Sequence, residues 1–427
     1  MVQKMRKMKD SGIEWIGEIP EGWSIARGKH ILTLLQRAVF PTDGVITCFR
    51  DGEVTLRSNR REDGFTVSLK EIGYQGIEPG DLVVHGMDGF AGSIGISDSR
   101  GKSSPVLVVL DSSQDKKYLM YYLRSMAYNN VFLALSTGIR VRSCDLKWNK
   151  LADLLYLVPP IVEQHKLVSF LDEKCSEIDA MLSKTRASIE EYKKLKQAVI
   201  TQAVTKGVRG EREMKDSGNP WFGQIPTDWK LSRVGLHFSI ILGKMLCNAP
   251  LNDTYTLEPY YCAADVHFDG VADGERKKMW FSPIEKDLYR VSVGDLLVVE
   301  GGAGAGGSAI VENQDSYTYI QNSIMIVRSK GNTDNRYLRY LLEFLVKQGY
   351  IDIVCNKATI PHFTKDKLSC VPFCLCPTGE QKEIVAYLDA KCAEIDGLIA
   401  KKEQLVKELE SYKKSLIYEV VTGKREV

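Results

Sequence analysis

The sequence predicts a mixed α/β (α+β) protein built as a tandem duplication. Each copy is a β-rich globular segment followed by a long helix, and the two helices pair as an antiparallel coiled coil. Three observations predict this fold. Two stretches of the chain recur in the same order, a long apolar stripe at helical spacing closes each copy, and short apolar runs bounded by Gly, Asp and Ser fill the segments between.

The first repeated stretch is the lead-in motif. Met8-Lys9-Asp10-Ser11-Gly12 and Trp15-Ile16-Gly17-Glu18-Ile19-Pro20-Glu21-Gly22-Trp23 return as Met214-Lys215-Asp216-Ser217-Gly218 and Trp221-Phe222-Gly223-Gln224-Ile225-Pro226-Thr227-Asp228-Trp229, at an offset of 206. Four of the six tryptophans sit there, which marks them as packing anchors where each globular segment meets the helices: Trp15, Trp23, Trp221 and Trp229. Similar residues in both copies cannot supply a difference between the copies.

The globular segments diverge, keeping only landmarks such as Gly80-Asp81-Leu82 against Gly294-Asp295-Leu296. Runs at 81–84, 106–110, 296–299 and 324–327 read as strands, and 117–128 and 336–347 as helices. Glu163-Gln164 and the run 170–179 then return as Glu380-Gln381 and 387–396 at an offset of 217, so the second globular segment is eleven residues longer. From these starts, apolar groups recur at helical spacing, among them Leu171, Ile178, Met181, Tyr192 and Leu195 in one copy, and Leu388, Ile395, Leu398, Leu409 and Tyr412 in the other. Each helix is about 60 Å long at 1.5 Å per residue, too long to bury its stripe on one small domain, so the two stripes pack together and offer docking surface. The expected boundaries are a globular domain at 1–160, a helix at 161–207, a second domain at 208–377 and a second helix at 378–427, with the termini as neighbours.

Composition narrows the function. The 427 residues carry 57 Lys and Arg against 55 Asp and Glu, a net charge of +2. Residues 163–205 and 380–422 of the helices sum to −2, which leaves +4 for the remainder, where phosphate contact needs it. No apolar run reaches membrane-spanning length and no apolar stretch follows the basic start, so the expectation is a cytoplasmic protein without a membrane partner. The ten cysteines are scattered and read as reduced thiols.

The Trp-x-Gly-x-Ile-Pro-x-x-Trp motifs at 15–23 and 221–229 carry a resemblance, as do the Glu-Gln-x-x-Ile/Leu-Val-x-Phe/Tyr-Leu-Asp-x-Lys-Cys-x-Glu-Ile-Asp helix starts at 163–179 and 380–396. With both motifs present twice and in register, the chain resembles the specificity subunits of type I restriction–modification systems over nearly its whole length. The resemblance implies two target-recognition domains, each reading one half of a bipartite double-stranded DNA site. It implies helices that space the half-sites and dock two methyltransferase subunits, with restriction subunits joining that core. It also implies no catalytic site and no cofactor in this chain.

The residues agree with that absence of chemistry. Gly302-Ala303-Gly304-Ala305-Gly306-Gly307 has dinucleotide-loop spacing, but Ser308-Ala309-Ile310-Val311 continues as a strand where a helix N-terminus is required, so a glycine-rich hairpin is expected. Cys370, Cys374 and Cys376 lack a second spaced Cys/His pair and read as strand thiols rather than a metal site. The candidate DNA contacts are Arg50, Arg57, Arg60, Arg61, Arg140 and Arg142 in the first copy and Arg276, Lys277, Lys278, Asn356, Lys357 and His362 in the second. Arg and Asn can pair bidentately with guanine and adenine edges, whereas Lys mostly meets phosphate. Two other classes are weighed against this reading: a coiled-coil scaffold for proteins, which shows no sequence-selective DNA affinity, and a self-contained restriction–modification enzyme, which binds a methyl donor alone.

Overall fold

The computed structural model describes residues 6–60, 71–134, 146–313, 317–355 and 361–427. The chain divides into two compact units, one of residues 1–186 with 403–427 and one of residues 187–402.

The core of unit 1 is a four-stranded antiparallel sheet of β1 (Leu32–Leu34), β2 (Leu82–His85), β3 (Ile94–Ile96) and β4 (Leu107–Ser112), in the order β1-β4-β2-β3. Alternation along the strands divides it into two faces. Leu82, Val84 and Leu110 pack with Tyr118, Tyr122 and Leu123 of helix α1 (Lys116–Tyr128), while Val83 and Val109 pack with Ile46, Cys48 and Val54 of an outer hairpin. The helix begins at Asp115, whose carboxylate accepts the N–H groups of Lys117 and Tyr118 and so satisfies two first-turn donors. The hairpin lies so close to β3 that a Cβ added at Gly95 would stand 2.0 Å from the Gly52 carbonyl oxygen.

Unit 2 repeats the plan with β5 (Phe238–Leu242), β6 (Thr256–Tyr261), β7 (Lys277–Phe281), β8 (Leu296–Val299), β9 (Ser308–Ile310), β10 (Ile324–Ser329) and helix α2 (Asn335–Lys347). Its main sheet runs β5-β10-β8-β9, the order found in unit 1, and β6 with β7 forms a separate sheet with Tyr319–Ile320. Gly302 to Gly307 close the β8–β9 hairpin, with Gly302 and Gly306 at φ of +87° and +81°, and a strand follows them. The loop therefore turns a hairpin and presents no helix N-terminus to a pyrophosphate. Cys374 and Cys376 are buried and Cys370 is exposed. Among the described residues no group of His, Cys, Asp and Glu could hold a metal ion, and no helix is long and apolar enough to cross a membrane.

The two long helices are Ile161–Lys206 and Thr378–Val421. In unit 1, Leu171, Cys175, Ile178 and Leu182 of the first share a core with Leu416, Ile417 and Val420 of the second. In unit 2, Ile200, Ala203 and Val204 share one with Ile384, Val385, Leu388 and Cys392. The ion pairs run antiparallel: Lys413 meets Asp179 at 2.7 Å in unit 1, and Lys196 meets Asp396 at 2.6 Å in unit 2. These are one pair made twice, since both partners differ by the repeat offset of 217.

The inward positions alternate four and three residues apart, a heptad seam running 171, 175, 178, 182 in the first helix and 388, 392, 395 in the second. Leu171, Ile178, Leu388 and Ile395 are buried in it, and Tyr192, Leu398 and Leu409 are half-buried. Met181, Leu195 and Tyr412 are exposed instead, at 53%, 47% and 50%, which corrects their expected place in the helix packing. Each stands one residue before a seam position and so points about 100° away from it. The seam positions beside Leu195 and Tyr412 are taken by Lys196 and Lys413, which run their stems along the seam and place their ammonium groups on the opposite helix's aspartate.

Candidate functional site

The lead-in motifs fasten each unit to its helices. In unit 1, Trp23 is buried and Trp15 lies 6.0 Å from the Tyr122 ring and 6.2 Å from that of Tyr418, whose hydroxyl donates to the Trp15 carbonyl at 3.1 Å. In unit 2, buried Trp229 donates its indole N–H to Glu380 at 3.1 Å, and Trp221 stands edge-on to Tyr350 at 5.4 Å. A second tie is also made twice. The Gln164 amide accepts the Asp115 N–H at 3.0 Å and donates to the Pro159 carbonyl, while Gln381 accepts the Asp334 N–H at 2.9 Å and donates to the Cys376 carbonyl. Each glutamine thus joins a long-helix start to the cap of α1 or α2. None of these side chains is placed to read a ligand.

Three of the candidate arginines do converge. The hairpin Ile46–Cys48 and Val54–Leu56 carries Arg50 in its turn and Arg57 and Arg60 just beyond, around a cleft of about 710 Å³ that also receives Thr47, Phe49 and His85. Arg57 donates through Nε to the Thr47 hydroxyl at 2.9 Å. Arg60 lies 4.2 Å above the Phe49 ring and bonds Asp51 at 2.7 Å and Glu53 at 2.9 Å. Arg50 has 72% of its side chain exposed and reaches Asp88 at 3.1 Å. The Arg50 and Arg60 guanidinium groups are therefore held in place by carboxylates at a solvent-open mouth, and Arg57 by the Thr47 hydroxyl, so an incoming anion would compete with those carboxylates. The hydrogen bond that Arg60 donates to Asp51 raises the Arg60 pKa; burial pushes Asp51 up, but the Arg60 bond and the Glu53 N–H hold it below its usual value.

His85, at the end of β2, had no predicted role. Its Nδ1 accepts the N–H groups of Asp88 at 3.0 Å and Met87 at 3.3 Å, which requires the ring to be unprotonated there. Burial, and then the Arg50 charge, lower its pKa, against the opposing pull of Asp88. Its place at the end of an apolar strand was the sequence signal that could have found it. Burial pushes the Cys48 thiol up to about 12, so this cleft holds no thiolate nucleophile. Arg61, Arg140 and Arg142 lie outside the described residues.

Unit 2 disperses its candidates. Arg276 is tied to Asp265 at 3.1 Å and lies 4.8 Å over the Tyr261 ring. Lys277 and Lys278 are exposed at the start of β7. His362 is mostly exposed, with Nδ1 3.3 Å from Glu300, and it pairs in a β-bridge with Gly301 beside the glycine hairpin. Asn356 and Lys357 lie outside the described residues.

Residues 227–408 match the family described as the type I restriction modification DNA specificity domain. Over 96% of its length the chain is 25% identical to the protein described as the type I restriction enzyme MjaX specificity subunit of Methanocaldococcus jannaschii, covering 95% of that protein. It is 20% identical to the StySPI specificity subunit of Salmonella potsdam, over 95% of this chain and 90% of that one. Among solved structures, a chain from a type I restriction–modification system studied for complex assembly and conformational transition superposes with a TM-score of 0.72, at 17% identity and 95% and 99% coverage. The HsdS subunit from Thermoanaerobacter tengcongensis gives 0.53, also at 17% identity, with 95% and 98% coverage.

Proposed function

Because the chain belongs to the type I restriction–modification DNA specificity subunits, we propose that it reads a bipartite double-stranded DNA target, one half-site per globular domain, and performs no catalysis itself. The observation that carries this reading is the duplication of a whole reader. The same sheet order and the same glutamine tie occur in both units, whereas the basic side chains on their surfaces differ. A repeated scaffold with divergent polar surfaces suits two different half-sites. The recognition domains are 1–160 and 208–377. Arg50, Arg57 and Arg60 serve the first half-site, and Lys277, Lys278 and His362 the second.

Methyl transfer and cleavage reside in partner subunits. The exposed apolar residues that flank the seam, Met181, Leu195 and Tyr412, dock the methyltransferase subunits. Leu195 and Tyr412 are equivalent under the 217-residue repeat, which fits two methyltransferase copies, with the restriction subunits joining that core. The complex works in the cytoplasm, where its DNA is. Methylome sequencing of cells expressing this chain with its cognate methyltransferase tests the reading. A methylated motif of two short halves around a constant gap is expected; a continuous motif, or none, overturns it.

A further inference from the structure

The main sheets of the two units share one turn, and its side chains differ. Leu107 of β4 pairs with His85 as Ile324 of β10 pairs with Val299. The Leu107 N–H donates to the Ser104 carbonyl at 3.1 Å, and the Ile324 N–H to the Gln321 carbonyl at 2.9 Å. The neighbouring strand is tied to each turn alike, by the Gly86 N–H on the Val106 carbonyl and the Glu300 N–H on the Ser323 carbonyl, both at 2.8 Å. Gln321-Asn322-Ser323 therefore stands where unit 1 has Ser104-Pro105-Val106, at an offset of 217. In unit 1 this sheet end borders the arginine cleft, which Ser104 and His85 help to line. In unit 2 it borders His362, whose Nδ1 lies 3.3 Å from Glu300.

Hydrogen bonds within the unit 2 turn leave one amide orientation. The Ser323 N–H, which can only donate, reaches Gln321 Oε1 at 3.3 Å. The Ser323 hydroxyl donates to the same oxygen and accepts the Ala263 N–H at 3.1 Å. Gln321 Nε2 is thereby turned to Asn322 and donates to its Oδ1. Asn322 keeps the second lone pair of that oxygen, and its Nδ2 has no partner among the described residues. The backbone is pinned as firmly, with the Asn322 N–H on the Lys244 carbonyl at 2.8 Å and the Gln321 N–H on the Tyr261 carbonyl at 3.2 Å. Asn322 is half-buried, so one acceptor site and two donors of its carboxamide stand ready in a fixed frame.

We propose that Asn322 reads an adenine of the half-site bound by unit 2, with Gln321 and Ser323 as the residues that position it. This rests on the DNA-recognition reading above. An asparagine carboxamide pairs bidentately with adenine in the major groove, its oxygen taking the N6 amino group and its nitrogen donating to N7. An amide already held by a relay anchored on backbone N–H groups loses little freedom in doing so. The place is common to both units but the chemistry is not, because Pro105 offers no side-chain donor or acceptor where Asn322 offers both. Unlike hydrogen-bonding groups on one shared turn suit readers of two different half-sites. A docking surface for two copies of one methyltransferase would repeat its chemistry instead.

The test uses the full chain assembled with its cognate methyltransferase subunits and a duplex carrying the methylated motif. Each adenine of the second half-site is replaced in turn by 7-deazaadenine, which has a C–H in place of the N7 acceptor. Wild-type binding should fall about tenfold at the adenine that Asn322 reads, and this scan needs no variant to fold. Asn322→Ala should bind the unmodified duplex about tenfold more weakly and lose its sensitivity at that adenine alone. Its methylome should admit other bases there while the first half stays strict. Ser323→Ala, which frees Gln321, should reduce sensitivity at the same adenine and at no other. The slope of affinity against salt should not change, because no phosphate contact is removed. Wild-type indifference to 7-deazaadenine throughout the second half, or full sensitivity kept by Asn322→Ala, would overturn the assignment and leave the recognition reading intact. So would loss of methyltransferase subunits from the Asn322→Ala complex, which would mark the turn as a protein contact. Failure of the wild-type complex to bind the motif selectively would overturn both readings.

Discussion

Arg6→Ala and Arg212→Ala remove the same ion pair from the two copies, and the structure assigns them different costs. Arg6 pairs with Glu163 and Arg212 with Glu380, each beside the second tryptophan of its lead-in motif. In unit 1 the two side chains are 28% and 24% exposed, so water screens the charge left behind and the loss is about 0.2–1 kcal/mol. In unit 2 the Glu380 side chain is fully buried and also accepts the Trp229 indole N–H. Stranding a buried carboxylate costs about 3–5 kcal/mol. Arg209, 3.9 Å from Glu380, remains to offset part of this, which places the expected loss near the lower figure. The arginine–indole distances are 5.5 and 5.6 Å, so cation–π terms cancel in the comparison. Hydrogen-exchange protection of peptides covering 161–175 and 378–392 reads each site separately, without assuming that the whole chain unfolds in one step. Arg212→Ala should lower protection in the second peptide about a hundredfold, and Arg6→Ala should lower it in the first less than about fivefold. Adding Glu380→Gln to Arg212→Ala should restore part of the loss. Equal losses at the two sites would refute the argument that burial sets the cost.

Two further outcomes follow from the cleft of unit 1. His85 has a folded-state pKa below its ordinary 6.5, so on acidification the unfolded chain takes the proton first; stability at this site is present above that pH and is lost as the pH falls below 6.5 toward the folded pKa. Exchange protection over 82–96 should drop between pH 7.5 and 5.5, and His85→Asn, which keeps an acceptor without the titration, should flatten the drop; an unchanged slope in that variant removes His85 from the explanation. Gly95→Ala drives a methyl group into the Gly52 carbonyl and should cost about 1–3 kcal/mol, shifting the hairpin that carries Arg50. Urea unfolding should show the loss and methylation should fall through the first half-site; wild-type behaviour in both would contradict the close approach of hairpin and sheet.

The sequence makes the architecture legible because the duplication writes it twice. The strands at 82–85 and 296–299 and the helices at 116–128 and 335–347 lie within a residue or two of their expected places, since apolar runs and the Asp115 and Asp334 caps are local signals. Long-range pairing is not local. The Tyr118 hydroxyl donates to the Val421 carbonyl across 303 residues, and no spacing announces that the chain's last helix turn completes the core of its first unit. The seam runs one residue after Leu195 and Tyr412 for a related reason. Hydrophobicity favours the apolar residue over its lysine neighbour, yet Lys196 and Lys413 turn inward because each has an aspartate across the helix pair. Of the candidate DNA contacts, Arg50, Arg57 and Arg60 came together because one hairpin carries them, while His85 joined them through the sheet, a tertiary fact.

On the proposed function, two recognition modules work independently within one chain. Replacing residues 24–150 with the matching segment of a relative of different specificity, then sequencing the methylome, tests it most directly. A new first half, an unchanged second half and an unchanged gap are expected. A change in both halves, or in the gap alone, would contradict it.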